Sequence, residues 1–413
     1  MKVNRVYTRG EGPSTMMRLS IGIAAALLAT SMVPVDATRA VVTADPRTDL
    51  RVGPGTEYNR ITVLPPGITL PAEGPEEDFY RVPLNPLLHG WVAQDQVRAL
   101  DPSQPPPAVQ PLRDISVQGT DQGTVATLNI PEPVPFRVRQ RIQPPALILD
   151  LFGVRLARYG VRQFPSDLAT STIEAEQIAD GWAQITFHLN FDQQRGWRVV
   201  QQDGSLRLLI RRPYEGGSLA GKVIVIDPGH GGPDSGAVGP TGVRESDVNL
   251  RVARELAAIL QQRGAVPRML RTGDTTVGEG PYSRRGELEA RLAASEQPDA
   301  DFFLSIHNNA VGSGRAATVQ GTETYYWTPM SALPARILQD HQCAALGTHN
   351  RFISWRPFYV LRHGDMPRVL VECAFVSNPA EEQRMKSEEF ARAAALGLAD
   401  GLEEFFRRAA GER

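Results

Sequence analysis

The sequence predicts a multidomain protein: a small β-barrel, a second β-rich domain of sandwich type, and a C-terminal α/β domain with a largely parallel, twisted sheet flanked by helices. Three observations carry this reading. Short apolar runs broken by turn residues fill positions 41–100, and again 111–213. A proline-rich stretch separates those two blocks. From Gly221 onward, buried-strand runs alternate with segments of helical periodicity, the grammar of an α/β domain. A chain of 413 residues has room for about two to four domains of ~150 residues each.

Composition narrows the function classes. Apolar content of 41% and charged content of 22% are ordinary for a soluble protein with sizeable cores. The net charge of -2 argues against nucleic acid as the main partner, because phosphate binding needs a clustered excess of Lys and Arg. Carbohydrate and peptide substrates stay open. Two cysteines, Cys343 and Cys373, define no disulfide framework; a bridge and two buried thiols are both compatible with the sequence.

Residues 1–40 read as a signal segment. Arg18 precedes the apolar run Leu19 to Met32, and small residues follow around Val35-Asp36-Ala37 and Thr38-Arg39-Ala40. A positive flank, a short apolar stretch and a small-residue exit describe a secretory signal peptide. Export is therefore expected, to the periplasm or to the cell wall outside, with no membrane span after cleavage. The run is shorter than the ~20 apolar residues a spanning helix needs; an uncleaved anchor is the alternative.

Within 41–100, Leu50-Arg51-Val52-Gly53-Pro54-Gly55-Thr56 precedes Ile61 to Leu64, then Pro65-Pro66-Gly67, Phe79 to Val82 and Gly90-Trp91-Val92. Strands this short, between turns this frequent, make a small barrel. The "LRVGPGTEY" turn and the "GWV" strand resemble those of bacterial SH3-like domains. Residues 101–110 form the linker; Asp101-Pro102-Ser103-Gln104-Pro105-Pro106-Pro107 favours an extended, semi-rigid chain. In 111–213 the strand candidates are Thr124 to Ile130, Ala146 to Phe152, Ala183 to Leu189 and Leu206 to Ile210. The "LILDLFG" and "LRLLIRR" strands are similar to those of the AMIN domain, a β-sandwich found in front of cell-wall amidases.

The third block, 220–408, carries the chemistry. The strand Lys222 to Ile226 runs into Asp227-Pro228-Gly229-His230-Gly231-Gly232, Phe302 to Ile306 into His307-Asn308-Asn309, and Val369 to Val371 into Glu372. Glu245 stands just ahead of a helix over Asp247 to Arg263, whose Leu250, Ala253, Leu256, Ala257 and Leu260 share a face. Asn378-Pro379-Ala380-Glu381 starts a helix, with N-cap Asn and Pro at the first position, and a last helix spans about Ser387 to Arg408. Ligands of open α/β sheets sit beyond the carboxyl ends of the strands, so two His and two Glu converge on one edge. Catalytic zinc takes three His or carboxylate ligands and keeps a position for water, and a further carboxylate is needed to move that water's proton. His230, Glu245 and His307 suit the ligand role, and Glu372 the proton shuttle.

"VIVIDPGHGGPDSGAVG", "RESDVNL", "SIHNNA" and "VLVECAFVSNPAEE", in this order, resemble the zinc-dependent N-acetylmuramoyl-L-alanine amidase family (Amidase_3 type). The resemblance implies that His230, Glu245 and His307 bind zinc and that Glu372 is catalytic. It also implies hydrolysis of the amide between the lactyl group of N-acetylmuramic acid and L-alanine of the peptidoglycan stem peptide. Departures fall at Ser246, where the family usually has Lys, at Asn308 in place of Ala, and at Cys373. The segment from Arg271 to Glu296 keeps Arg271 and Asp274 of the family pattern but is otherwise loosely matched. Some members insert an autoinhibitory helix after the second His motif; Ala310 to Gln320 is too short for one, so an open site is expected. Asp227 and Asp234 either orient His230 or simply form turns. Asn309, Arg362 and His363 are candidates for substrate contact. His341, Cys343 and His349 fit no standard metal spacing and read as structural. Peptidoglycan is the expected partner, with wall or divisome proteins through the N-terminal domains. The competing readings are a zinc peptidase acting within the stem peptide and an inactive wall-binding scaffold.

Overall fold

The computed structural model describes residues 39–44, 48–56, 58, 60–101, 107–158, 160–164 and 169–412. Residues 1–38 of the expected signal segment and 102–106 of the proline-rich linker lie outside the described residues. Between Arg39 and Ala99, antiparallel strands wrap a core of Val41, Leu50, Leu64, Ile68, Leu70, Val82 and Val92. The next block is two antiparallel sheets, one of four and one of five strands. Ala126, Leu128, Leu206 and Leu208 of the first meet Leu147, Leu149, Ile185 and Phe187 of the second in a single core. Period-2 alternation explains the split: on the strand Ala146–Phe152, Leu147, Leu149 and Leu151 enter this core. Phe152, at the strand's end, belongs instead to the barrel's core, where it lies 6.0 Å from the ring of Trp182. The barrel and the sandwich are thus joined through one buried ring.

The C-terminal block is built from β1 (Val223–Pro228), α1 (Glu245–Gln262), β2 (Val266–Met269), α2 (Arg284–Ser295), β3 (Phe302–Asn309), β4 (Thr322–Tyr326), α3 (Ala332–Leu346), β5 (Asn350–Trp355), β6 (Arg368–Phe375), α4 (Pro379–Met385) and α5 (Glu388–Ala409). The sheet order is β2-β1-β3-β6-β4-β5. The pairings β2-β1, β1-β3, β3-β6 and β4-β5 are parallel, and β4 runs antiparallel to β6. The reason is the connection: β3 passes to β4 without a crossover helix, so β4 starts at the edge where β3 ends. Helices α1, α3 and α5 cover one face, packing Val252, Leu256, Leu338, Leu398 and Phe405 on Ile224, Leu304 and Val371. On the other face α2 and a 3-10 turn at Tyr359–Leu361 cover Val225, Phe303 and Leu370. Helix starts are capped as their sequences suggest: Asn378 accepts from the N–H groups of Ala380 and Glu381, and Ser387 from Phe390.

The sandwich meets the α/β block at the amino ends of β3 and β6. Trp197 N–H donates to Gly364 O at 2.7 Å, and its ring lies so close that a Cβ on Gly364 would fall 2.0 Å from it. Arg211 donates to Ala300 O and Asp365 O, and Arg195 pairs with Asp301. The barrel reaches the same margin, with Arg60 over the ring of Tyr359 at 5.7 Å. Among the described residues no helix is long and apolar enough to cross a membrane.

Candidate metal centre

The opposite, carboxyl margin of the sheet gathers the ionisable groups. Buried β1 delivers Gly229 and His230 there. Gly229 is required by close approach, since a Cβ at that position would stand 2.1 Å from the His307 ring. His230 adopts φ +62°, a left-handed conformation that costs a non-glycine residue about 1–3 kcal/mol unless its surroundings hold it. Two buried arginines do so. Arg291, on α2, donates to His230 O at 2.6 Å and Pro228 O at 2.8 Å while pairing with Asp227 and Glu287. Arg271 donates to Pro228 O, Gly229 O and Ser246 O, each at 2.9 Å. Asp274 adds a contact from outside, accepting from Gly232 N–H at 2.9 Å.

Glu245 is the first residue of α1, where the helix dipole favours a carboxylate. Its Oε2 accepts from Ala237 N–H at 3.0 Å. Its Oε1 lies 3.2 Å from His230 Nε2 and 2.9 Å from His307 Nδ1. His230 Nδ1 is engaged by Asp234 Oδ2 at 2.8 Å. Asp234 is therefore the carboxylate that orients the ring, whereas Asp227 acts on the backbone through Arg291 and binds Ser305 Oγ at 2.8 Å. Burial disfavours the charged form of Glu245, but hydrogen bonds from both imidazoles outweigh it and hold its carboxyl far below the usual range. Burial likewise opposes protonation of His230, yet Glu245 and Asp234 raise its pKa above the ordinary value. His230, Glu245 and His307 offer one ligand atom each within 4.8 Å of one another. Two imidazoles and a carboxylate with an open side are a donor set that suits a catalytic divalent metal such as zinc. The His230 and His307 side chains keep 26% and 18% of their exposure, so the cluster is open to solvent.

Glu372 sits beside this cluster on β6, the register partner of His307 on one side and of Glu323 on the other. Its Oε2 is shielded from solvent and has no hydrogen-bond partner. Burial, then the negative charges of Glu245 and Glu323, push its pKa well above the carboxylate range. A buried polar atom without a partner is rare in native proteins and points to a missing one. Asn309 also reaches this place, its Nδ2 3.4 Å from Glu323 Oε2.

Arg362 and His363 stand apart from this cluster. They precede β6 and lie at the amino margin, with Arg362 bonded to Pro357 O and stacked on Tyr359 at 5.5 Å, and His363 paired with Glu296. Arg368, where β6 begins, faces Phe303, and Glu372 faces His307, so about 13 Å of strand separates that margin from the cluster. Cys343 and Cys373 are free thiols, and burial pushes Cys373 up to about 12. His341 pairs with Glu404 between α3 and α5, and Cys343 accepts from Gln339 at 3.4 Å. Sequence reasoning missed Arg291 and Glu323. Register brings Glu323 to Glu372, and nothing local to Arg291 points to His230.

A profile described as Amidase_3, N-acetylmuramoyl-L-alanine amidase, matches residues 224–404. The chain is 37% identical over 193 residues to N-acetylmuramoyl-L-alanine amidase LytC of Bacillus subtilis (strain 168), a match covering 46% of this chain and 36% of that relative. It is 32% identical over 196 residues to the germination-specific N-acetylmuramoyl-L-alanine amidase of the same organism, covering 46% of this chain and 81% of the relative. Among solved structures, the catalytic domain of CwlV, an N-acetylmuramoyl-L-alanine amidase from Bacillus (Paenibacillus) polymyxa var. colistinus, shares 36% identity with a TM-score of 0.40, covering 45% of this chain and 97% of that one. The chain thus spans little more than a third of LytC but most of the germination-specific relative.

Proposed function

Because the chain belongs to the N-acetylmuramoyl-L-alanine amidase family, we propose that it hydrolyses the amide between the lactyl group of N-acetylmuramic acid and L-alanine of the peptidoglycan stem peptide, with zinc as its metal. One observation carries the reading. Two imidazoles and a buried carboxylate share a space of 4.8 Å, and beside them Glu372 holds a carboxyl oxygen with no partner. His230 through Nε2, His307 through Nδ1 and Glu245 through Oε1 would hold the ion. When bound, zinc supplies Lewis acidity toward water and toward the amide carbonyl.

The remaining chemistry falls to the protein. Glu372 accepts a proton from the attacking water as its oxygen adds to the lactyl carbonyl carbon. It returns the proton to the alanine nitrogen as the C–N bond breaks, leaving a lactyl carboxylate and a free amine. Burial and neighbouring carboxylates favour its proton-holding form, which the second half of this sequence needs. Arg271, Arg291 and Asp234 orient His230, and Asn309 contacts the substrate amide.

The reading extends to the rest of the chain. Residues 41–100 act as an SH3-like domain and 111–213 as an AMIN-like domain, both placing the catalytic block 220–408 on the wall and offering surfaces to wall or division proteins. Residues 1–40 direct export. Digestion of purified peptidoglycan tests the proposal. New lactyl carboxyl groups and L-alanine amines should appear in equal amounts, should vanish with a chelator and should return with zinc. Cleavage between two amino acids of the stem would instead indicate a peptidase, and zinc-loaded protein without products would leave only a binder.

A further inference from the structure

Edge strand β5 and the turn after it carry aromatic rings that the amidase chemistry does not use. Phe352 is 73%, Trp355 56% and Phe358 40% exposed. Large apolar side chains grouped on a surface mark a binding face, where single ones do not.

Two of these rings are held in place. Trp355 stacks on Trp327 with centroids 4.1 Å apart and planes 16° from parallel, and its Nε1 donates to Trp327 O at 2.7 Å. One indole face is covered by its neighbour and the exposed part of the ring is fixed in orientation. Phe352 has φ +68°, left-handed backbone that an aromatic residue adopts at a cost of about 1–3 kcal/mol. Asn350 holds it there, its Oδ1 accepting from Phe352 N–H at 2.8 Å and from Gln339 Nε2 at 2.9 Å. A ring so exposed recovers nothing by packing, and strain of this kind collects where a protein works.

Charge and position indicate the occupant. Residues 341–364 contain Arg351, Arg356 and Arg362 but no Asp or Glu, in a chain of net charge -2; Arg351 pairs with Glu323 and Arg362 packs on Tyr359, so exposed Arg356 is the cation that faces a ligand here. Strand register sets Phe352 near the level of Glu323, whose partner is Glu372. The row therefore begins about two strand spacings, ~10 Å, from the strand of Glu372 and runs toward the amino margin. Pairing with a second copy along this edge is disfavoured by the irregularity between Thr322 and Thr324 in the β4–β5 ladder, since bulges blunt edge strands.

We propose that Phe352, Trp355 and Arg356 form a second binding site for the peptidoglycan strand beside the His230–Glu245–His307 cluster, and this rests on the amidase reading above. Pyranose rings lay their C–H faces on Trp355 and Phe352, and stem-peptide carboxylates meet Arg356. The test is co-sedimentation of the full chain with purified sacculi in a Glu372→Gln background, where no wall is digested. Adding Phe352→Ala with Trp355→Ala should weaken retention about tenfold, and Arg356→Glu should weaken it further as a surface change that leaves folding alone. Retention within about twofold of the parent overturns the proposal. So does a parent dimer, seen by sedimentation velocity, that the substitutions dissolve. In the Glu372-intact chain, release of L-alanine amine from a soluble muramoyl-peptide tests the amidase reading separately. If release fails while sacculi retention still depends on the row, that reading falls and the strand-binding site stands. A loss of release as large as the loss of retention assigns the row to the metal centre or the fold and sinks the proposal.

Discussion

Replacing Arg291 with Met should weaken metal binding as well as the fold. Arg291 and Asp227 are 4% and 1% exposed, and Glu287 lies beside them at 8%. Removing the cation leaves two buried carboxylates without their partner, a loss of about 3–5 kcal/mol for a broken buried pair. In a domain of this size each kcal/mol moves Tm by about 2–4 °C, so thermal unfolding of the metal-free protein should drop by roughly 6–20 °C. The same change removes the donor to His230 O, and loss of such an outer contact lowers metal affinity about 10–100-fold. Zinc titration by competition with a chelating dye measures that fall. A double variant, Asp227→Asn with Arg291→Met, should recover part of the Tm because an orphaned charge is gone. It should not recover zinc affinity, because the His230 carbonyl is still without its donor. Arg291→Met protein that unfolds early yet binds zinc within about twofold of the parent would refute the view that α2 holds the His230 turn for the metal.

Glu372→Gln should keep its zinc and lose turnover by about 10²–10⁴-fold; a metal-replete variant with full activity removes Glu372 from the chemistry. In the metal-free chain the raised His230 pKa gives stability that is complete below the ordinary histidine range and is lost as pH rises through the raised value. Metal-free Tm should therefore fall across that window while zinc affinity climbs, since proton and ion compete for Nε2; a flat affinity profile through the window contradicts this. Gly364→Ala should force the sandwich off the α/β block, because the added methyl would lie 2.0 Å from the Trp197 ring. A larger radius of gyration in small-angle scattering checks it, and an unchanged radius means the contact yields without separation.

Much of the α/β block is legible because its signals are local. The runs "KVIVI" and "FFLSI" are buried strands in any context, and the spacing of Ala253, Leu256, Ala257 and Leu260, which pack into the core, states which side of α1 faces inward. Strands β4 and β5 carry no such pattern: polar and aromatic residues mix there, and pairing makes them strands, β4 with β6 and β5 with β4. Helix α2, rich in Arg and Glu, is likewise set by its burial of Arg291 and Leu292. In the site, His230, His307 and Glu372 each follow a recognisable apolar run and Glu245 begins a helix, so the sequence exposes them. Nearness of Arg362 and His363 to Glu372 in sequence says nothing about which end of β6 their loop occupies. Strand direction decides that, and it sends them to the far side. Glu323 is the converse: distant from Glu372 in sequence, it becomes adjacent through register alone.

The ring of Phe152 inside the barrel's core has a consequence for how the molecule works at a surface. Two modules that share an interior side chain cannot swivel independently, and the Trp197 contact with Gly364 extends that stiffness to the third. Whatever meets the front of the chain, the metal cluster stands at a fixed offset from it, more a caliper than a leash.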